Sequence, residues 1–303
     1  MSFATLTPQT ADRICELDRM SAGFIAHAAW SPDGGSLAVA HGGGVSLWRG
    51  GFGGKPDLEL DAHQAPVRWV SFSRSSRILV SAGSDMTARL WNSANGAAIS
   101  TLRGHTDAVT CAEFNQDGGL LATGSADRLL RIYDFAEGGL CHEIAAHTGE
   151  ITCLAFNGSH TIVTGSRDNT ARVWDAGSSR MVHTLTHDDW VRAAAFHPHS
   201  AAVATACKDG HYAIWDASSG QLIRKSLAHE GGADCAAYSP SGDLLATGGR
   251  DGMVRLWDAA TGAALVTLSG HTKPVLTLTF HPNGHFLVTG SGDNTLRLWA
   301  IQS

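Results

Sequence analysis

Short segments with an apolar residue at every second position recur along the whole chain, and each ends on an aromatic residue. Residues 170–174 and 253–257 are examples, closing on Trp174 and Trp257. A period of two predicts strands with one face turned to a core. Turn clusters separate them, as at 31–34, 239–242 and 281–284, each carrying a proline and then a glycine two residues later. The aromatics set a longer period: Trp48, Trp91, Tyr133, Trp174, Trp215, Trp257 and Trp299 follow one another at 41 to 43 residues. Repetition at about 40–45 residues predicts propeller blades, four-stranded sheets that cannot bury both faces alone and therefore stack into a ring. The chain reads as all-β, with residues 1–303 forming one domain of seven four-stranded antiparallel blades.

Only four residues follow Trp299, too few for the outer strand that comes after the aromatic in the other units. Residues 13–17 have the character of the outer segments 98–102 and 264–268, and are expected to complete the seventh blade from the other terminus. Such pairing would close the ring and cover two exposed strand edges.

Four polar residues recur at fixed offsets in six of the units. A histidine stands 21 or 22 residues before an aspartate, a Ser or Thr four before it, and the aromatic six after it. The sets are His63, Ser81, Asp85 and Trp91; His105, Thr123, Asp127 and Tyr133; His147, Thr164, Asp168 and Trp174; His187, Thr205, Asp209 and Trp215; His229, Thr247, Asp251 and Trp257; and His271, Thr289, Asp293 and Trp299. With the Trp-Asp pairs at 174–175, 215–216 and 257–258 and the Gly-His pairs at 104–105 and 270–271, they resemble the Trp-Asp (WD) repeat family over nearly the whole chain.

That resemblance implies a buried hydrogen-bond chain in each set, running from indole through hydroxyl and imidazole to carboxylate. An indole only donates, a hydroxyl and a neutral imidazole do both, and a carboxylate only accepts, so the order satisfies every member. One set alone has the residue types of a catalytic triad. A nucleophile must be reachable, however, and catalysis has no use for six near-identical copies. Two units depart: the third carries Tyr133 in place of Trp, and the first has Ala38 and Gly42 at the hydroxyl and aspartate positions.

Composition changes this picture little. With 43% hydrophobic and 17% charged residues and a net charge of -6, the chain is an ordinary globular one. Its pI near 6.2 argues against a general nucleic-acid binder. No apolar run approaches the roughly 20 residues of a membrane-spanning helix. The six cysteines include no CxxC pair and the start lacks a signal-peptide pattern, so a reducing, cytoplasmic setting is expected. Cys111, Cys153 and Cys235 each lie six residues after a network histidine and read as one small core position used three times. The glycine-rich stretch 50–55 lacks the Ser or Thr and the helix of a phosphate loop. His197, His199, His281 and His285 sit in turns where sister units carry Ser or Asn, and read as exposed histidines rather than metal ligands. No cofactor or metal is expected.

Function is therefore sought on the surface. The resemblance implies a partner-binding rim at the positions three and five after each network histidine and just before each network aspartate. These include Arg68, Arg167, Trp190, Arg192, Lys208 and Arg250, against the carboxylates Glu150 and Asp234. Pairing within a blade joins Glu150 to Arg167 and Asp234 to Arg250, leaving Arg192 and Lys208 free beside Trp190. The expectation is a non-catalytic scaffold or adaptor that binds protein partners through an acidic or phosphorylated segment, with Trp190 as apolar anchor. A permanent structural subunit, using the apolar rim residues Phe24, Pro66, Ala108, Pro274 and Leu276, is the alternative. An enzyme working in the central channel finds no recurring carboxylates on the inner strands.

Overall fold

The computed structural model describes residues 3–135 and 139–302. Its strands form seven antiparallel sheets, each blade running outward from an innermost strand. Blade two is representative, with Val67–Phe72 innermost, then Ile78–Gly83, Ala88–Asn92 and Ala98–Leu102 at the edge. The apolar residues of neighbouring sheets interdigitate at the seams between blades, so the core is a ring of clusters. Leu47, Val70, Leu79 and Trp91 make one of them.

Three seams place a cysteine against a glycine of the adjacent strand. A Cβ at Gly124, Gly165 or Gly248 would come within 2.7, 2.6 and 2.6 Å of the sulfurs of Cys111, Cys153 and Cys235. The pairs are size-matched, and burial raises all three thiol pKa values, that of Cys153 to about 12. These cysteines are neutral packing residues.

The seventh blade takes its outer strand from the N-terminal segment. Cys15–Ser21 lies antiparallel on Thr295–Gln302, in register from Cys15 opposite Ala300 to Ser21 opposite Thr295. Phe3–Ala4 continues the same edge, with Phe3 opposite Gln302. The strand begins later than the segment 13–17, because Ala11–Arg13 form a 3-10 turn that tucks Ala11 and Ile14 into the core. Arg297 in the last strand forms an ion pair with Glu16 across this closure. No helix among the described residues is long and apolar enough to cross a membrane.

Candidate functional site: one rim of the propeller

Two loops of each blade meet on one face of the ring, and the polar sets hold them together. In blade four, His147 Nδ1 lies 2.9 Å from Asp168 Oδ2, His147 Nε2 lies 2.7 Å from Thr164 Oγ1, and the Trp174 indole donates to Thr164 at 2.9 Å. A carboxylate can only accept, so Nδ1 carries the proton, Nε2 accepts from the hydroxyl, and the hydroxyl accepts from the indole. Asp168 also accepts from the Thr170 amide at 3.0 Å, an arrangement that puts Asn169 in the left-handed region at φ 65°. Blades two, six and seven repeat the whole chain, with His–Asp distances of 2.9, 2.9 and 3.0 Å. Burial lowers the pKa of each of these histidines, keeping the rings neutral. Burial acts to raise the Asp168 pKa, but hydrogen bonds from Thr170, Thr148 and His147 outweigh it and hold the carboxyl at about 2.

Three blades differ. In blade three His105 keeps Asp127 at 2.8 Å and Thr123 at 2.9 Å, but Tyr133 makes no bond to Thr123 among the described residues. Its hydroxyl sits at the far tip of the ring, past the point where an indole N–H would meet the threonine. Blade one bonds the Trp48 indole to the Gly54 carbonyl at 3.3 Å and joins His41 to Ser46 at 3.0 Å.

Blade five corrects an expectation. His187 reaches Thr205 at 2.8 Å but turns Nδ1 to the Leu185 carbonyl at 2.9 Å, not to Asp209. The cause lies four residues after the aspartate, where Arg89, Arg131, Arg172, Arg255 and Arg297 stand in the sister blades and blade five has Ala213. Lys225, opposite Ala213 on the outer strand, supplies the missing cation. It pairs with Asp188 and stands 3.9 Å from Asp209, drawing that carboxylate away from the ring.

The rim residues are aimed by a repeated irregularity. Every innermost strand carries a register shift near its start, as between Val67 and Trp69, Val191 and Ala193, and Ala233 and Cys235. The residue left out of the ladder is Arg68, Arg192 or Asp234, which the bulge turns toward the channel mouth. The loop residue before each network aspartate is fixed by a main-chain bond, as in Arg167 N to Glu150 O, Lys208 N to Trp190 O and Arg250 N to Gly232 O, each 2.9 Å.

The charges pair differently from the in-blade expectation. Arg167 does meet Glu150 at 3.0 Å. Arg192, however, reaches across to Asp234 of blade six at 2.6 Å, and Arg250 shares that carboxylate at 3.4 Å. Lys208 lies 3.6 Å from Asp189 and 4.2 Å from the Trp190 ring centroid, with the Arg167 guanidinium 4.7 Å from the same ring. Neither Arg192 nor Lys208 is free. The rim cation without a carboxylate among the described residues is Arg68, which is exposed and donates to Ser84 at 2.7 Å. Reading within blades missed the Arg192–Asp234 pair because it joins successive blades across the seam between them.

The channel mouth opens into a cavity of about 470 Å³ that Arg68, Trp69, Trp190, Arg192, Asp234 and Leu276 help to line. Trp69 stacks on His27 at 3.7 Å, and among the described residues neither its buried indole nitrogen nor Arg192 Nε has a hydrogen-bond partner. Trp69 thus forms a wall of this cavity. No group of three or more His, Cys, Asp or Glu side chains among the described residues could hold a metal ion.

A ring of seven four-stranded blades, carrying repeated indole–hydroxyl–imidazole–carboxylate chains, defines the class. The family described as IFT122 first beta-propeller matches residues 125–303, and that described as WD domain, G-beta repeat matches 54–92 and 96–134. The chain belongs to the WD-repeat β-propeller family. Curated relatives include Topless-related protein 4 of Arabidopsis thaliana, 37% identical over 81 residues or 25% of this chain. Mitochondrial division protein 1 of Mycosarcoma maydis is 39% identical over 54 residues, 18% of this chain. Each match covers 7% of the relative's own length.

Proposed function

We propose that this propeller is a non-catalytic scaffold or adaptor whose rim binds protein partners through an acidic or phosphorylated segment laid over the channel mouth. One observation carries the reading: cations outnumber carboxylates at the mouth, and Arg68 pairs with no carboxylate among the described residues while lining the same cavity as Trp190. An acidic side chain would pair with Arg68 and an apolar one would cover Trp190, already flanked by Arg167 and Lys208. Six cysteines with no CxxC pair suit a reducing, cytoplasmic setting.

The test is an array of acidic, phosphorylated and neutral peptides, followed by titration of the best binders. Arg68→Glu combined with Trp190→Ala is expected to weaken the acidic binders by about tenfold or more, and added salt should weaken the wild type. Selection of neutral peptides, or binding insensitive to the double substitution, would count against the reading.

A further inference from the structure

The opposite mouth of the channel holds a side chain that the repetition does not explain. The position before the aromatic that ends each innermost strand is Ala29, Ser71, Ala155, Ala195, Ala237 or Thr279 in six blades, and Glu113 in blade three. Such positions face the seam toward the next blade: Ser71 Oγ donates to the Ala112 carbonyl of blade three at 2.9 Å. Glu113 accordingly meets the main chain of Phe156 in blade four. It also lines a cavity of about 270 Å³ whose apolar wall includes Pro32, Phe114, Phe156 and Pro198. Among the described residues no cationic side chain pairs with it.

A carboxyl in such surroundings is held neutral unless a cation arrives to share the site. Burial pushes the Glu113 pKa up to about 8. A metal ion is a poor candidate, because no group of three or more His, Cys, Asp or Glu side chains among the described residues could hold one. A cation on an apolar stem satisfies both halves of the cavity, its charge against Glu113 and its methylenes against the proline and phenylalanine wall.

We propose that this cavity is a seat for a primary ammonium on an alkyl stem, with Glu113 as its counter-ion. The source is either a lysine side chain of a partner or a free alkylamine. On binding, the carboxylic acid loses its proton to solvent and the resulting carboxylate pairs with the ammonium, so one proton is released for each amine bound. The other titratable groups nearby do not change charge with it. Cys111 on the same strand and Cys153 on blade four are thiols with raised pKa values. His197, which lines the same cavity, has its pKa lowered by burial.

Isothermal titration calorimetry tests this with n-butylammonium and with Nα-acetyl-lysine N-methylamide, in buffers of different ionisation enthalpy. Saturable binding is expected, tighter by about tenfold at about pH 8.5 than at about pH 6.5, with release of close to one proton at the lower pH. Glu113→Gln, which removes the half-buried acid without changing shape, should fold normally by circular dichroism yet lose both binding and proton release. Arg74→Ala should retain binding. Tighter binding of the lysine amide would assign the seat to a partner's side chain, and equal or tighter binding of n-butylammonium to a free amine. Absence of saturable heat for both amines at the higher pH, or unchanged affinity in folded Glu113→Gln, would overturn the proposal.

Discussion

Removal of residues 1–21 is expected to lower the melting temperature by roughly 10–15 °C. The segment supplies the outer strand of the seventh blade from Cys15 to Ser21. It also brings Leu6, Ala11 and Ile14 into the cluster that contains Leu268, Trp299 and Ile301. Burying two large aliphatic side chains contributes about 2 kcal/mol each, and the lost ladder would expose the edge of Thr295–Gln302 to water and to other chains. The Arg297 ion pair with Glu16 would vanish as well. Thermal unfolding followed by circular dichroism gives the answer, and an unchanged midpoint would show that the ring does not depend on this closure.

Asp168→Ala and Asp209→Ala form the second prediction, because chemically identical substitutions at equivalent positions should differ in cost. Asp168 accepts from His147 at 2.9 Å, from the amides of Thr148 and Thr170 at 3.0 Å and from the Thr170 hydroxyl at 2.6 Å. Its loss leaves several donors unsatisfied, one of them on a buried ring, and should destabilise by about 3 kcal/mol. Asp209 bonds the His211 amide at 2.9 Å but not His187, whose own partners Leu185 and Thr205 remain. Its removal should cost about 1 kcal/mol. Equal losses in urea unfolding would contradict the interrupted chain in blade five. The same chains predict acid sensitivity. The network histidines have lowered pKa values in the folded state, so below about pH 6.5 the unfolded chain takes up more protons and stability falls with pH.

The ring itself was legible in the sequence, because the aromatic period reports the blade repeat and the alternation reports the strands. What could not be read is whatever depends on neighbours in the ring. Ala213 stands visibly where sister blades have Arg, but only the register that places it opposite Lys225 explains why Asp209 leaves His187. The rim was legible as a set of positions but not as a set of pairs. Arg192 reaches an aspartate 42 positions away by number but on the adjoining blade, and Asp189 adds a carboxylate outside the repeated rim positions. Arg68 thereby becomes the cation left for a partner. The N-terminal strand was misplaced by a few residues because nothing in 11–13 announces the 3-10 turn that delays it. Glu113 departs from the small residues at its sister positions, but nothing in the sequence shows that this position faces a seam and a cavity.

Affinity capture from native lysate with quantitative mass spectrometry tests the central claim, that the rim carries the binding function. The comparison is wild type, the Arg68→Glu, Trp190→Ala variant, and a control Arg180→Glu on the exposed outer strand of blade four. The account predicts proteins depleted by about tenfold with the rim variant alone. The same proteins in equal amounts with all three forms would contradict it and move the binding surface off the rim.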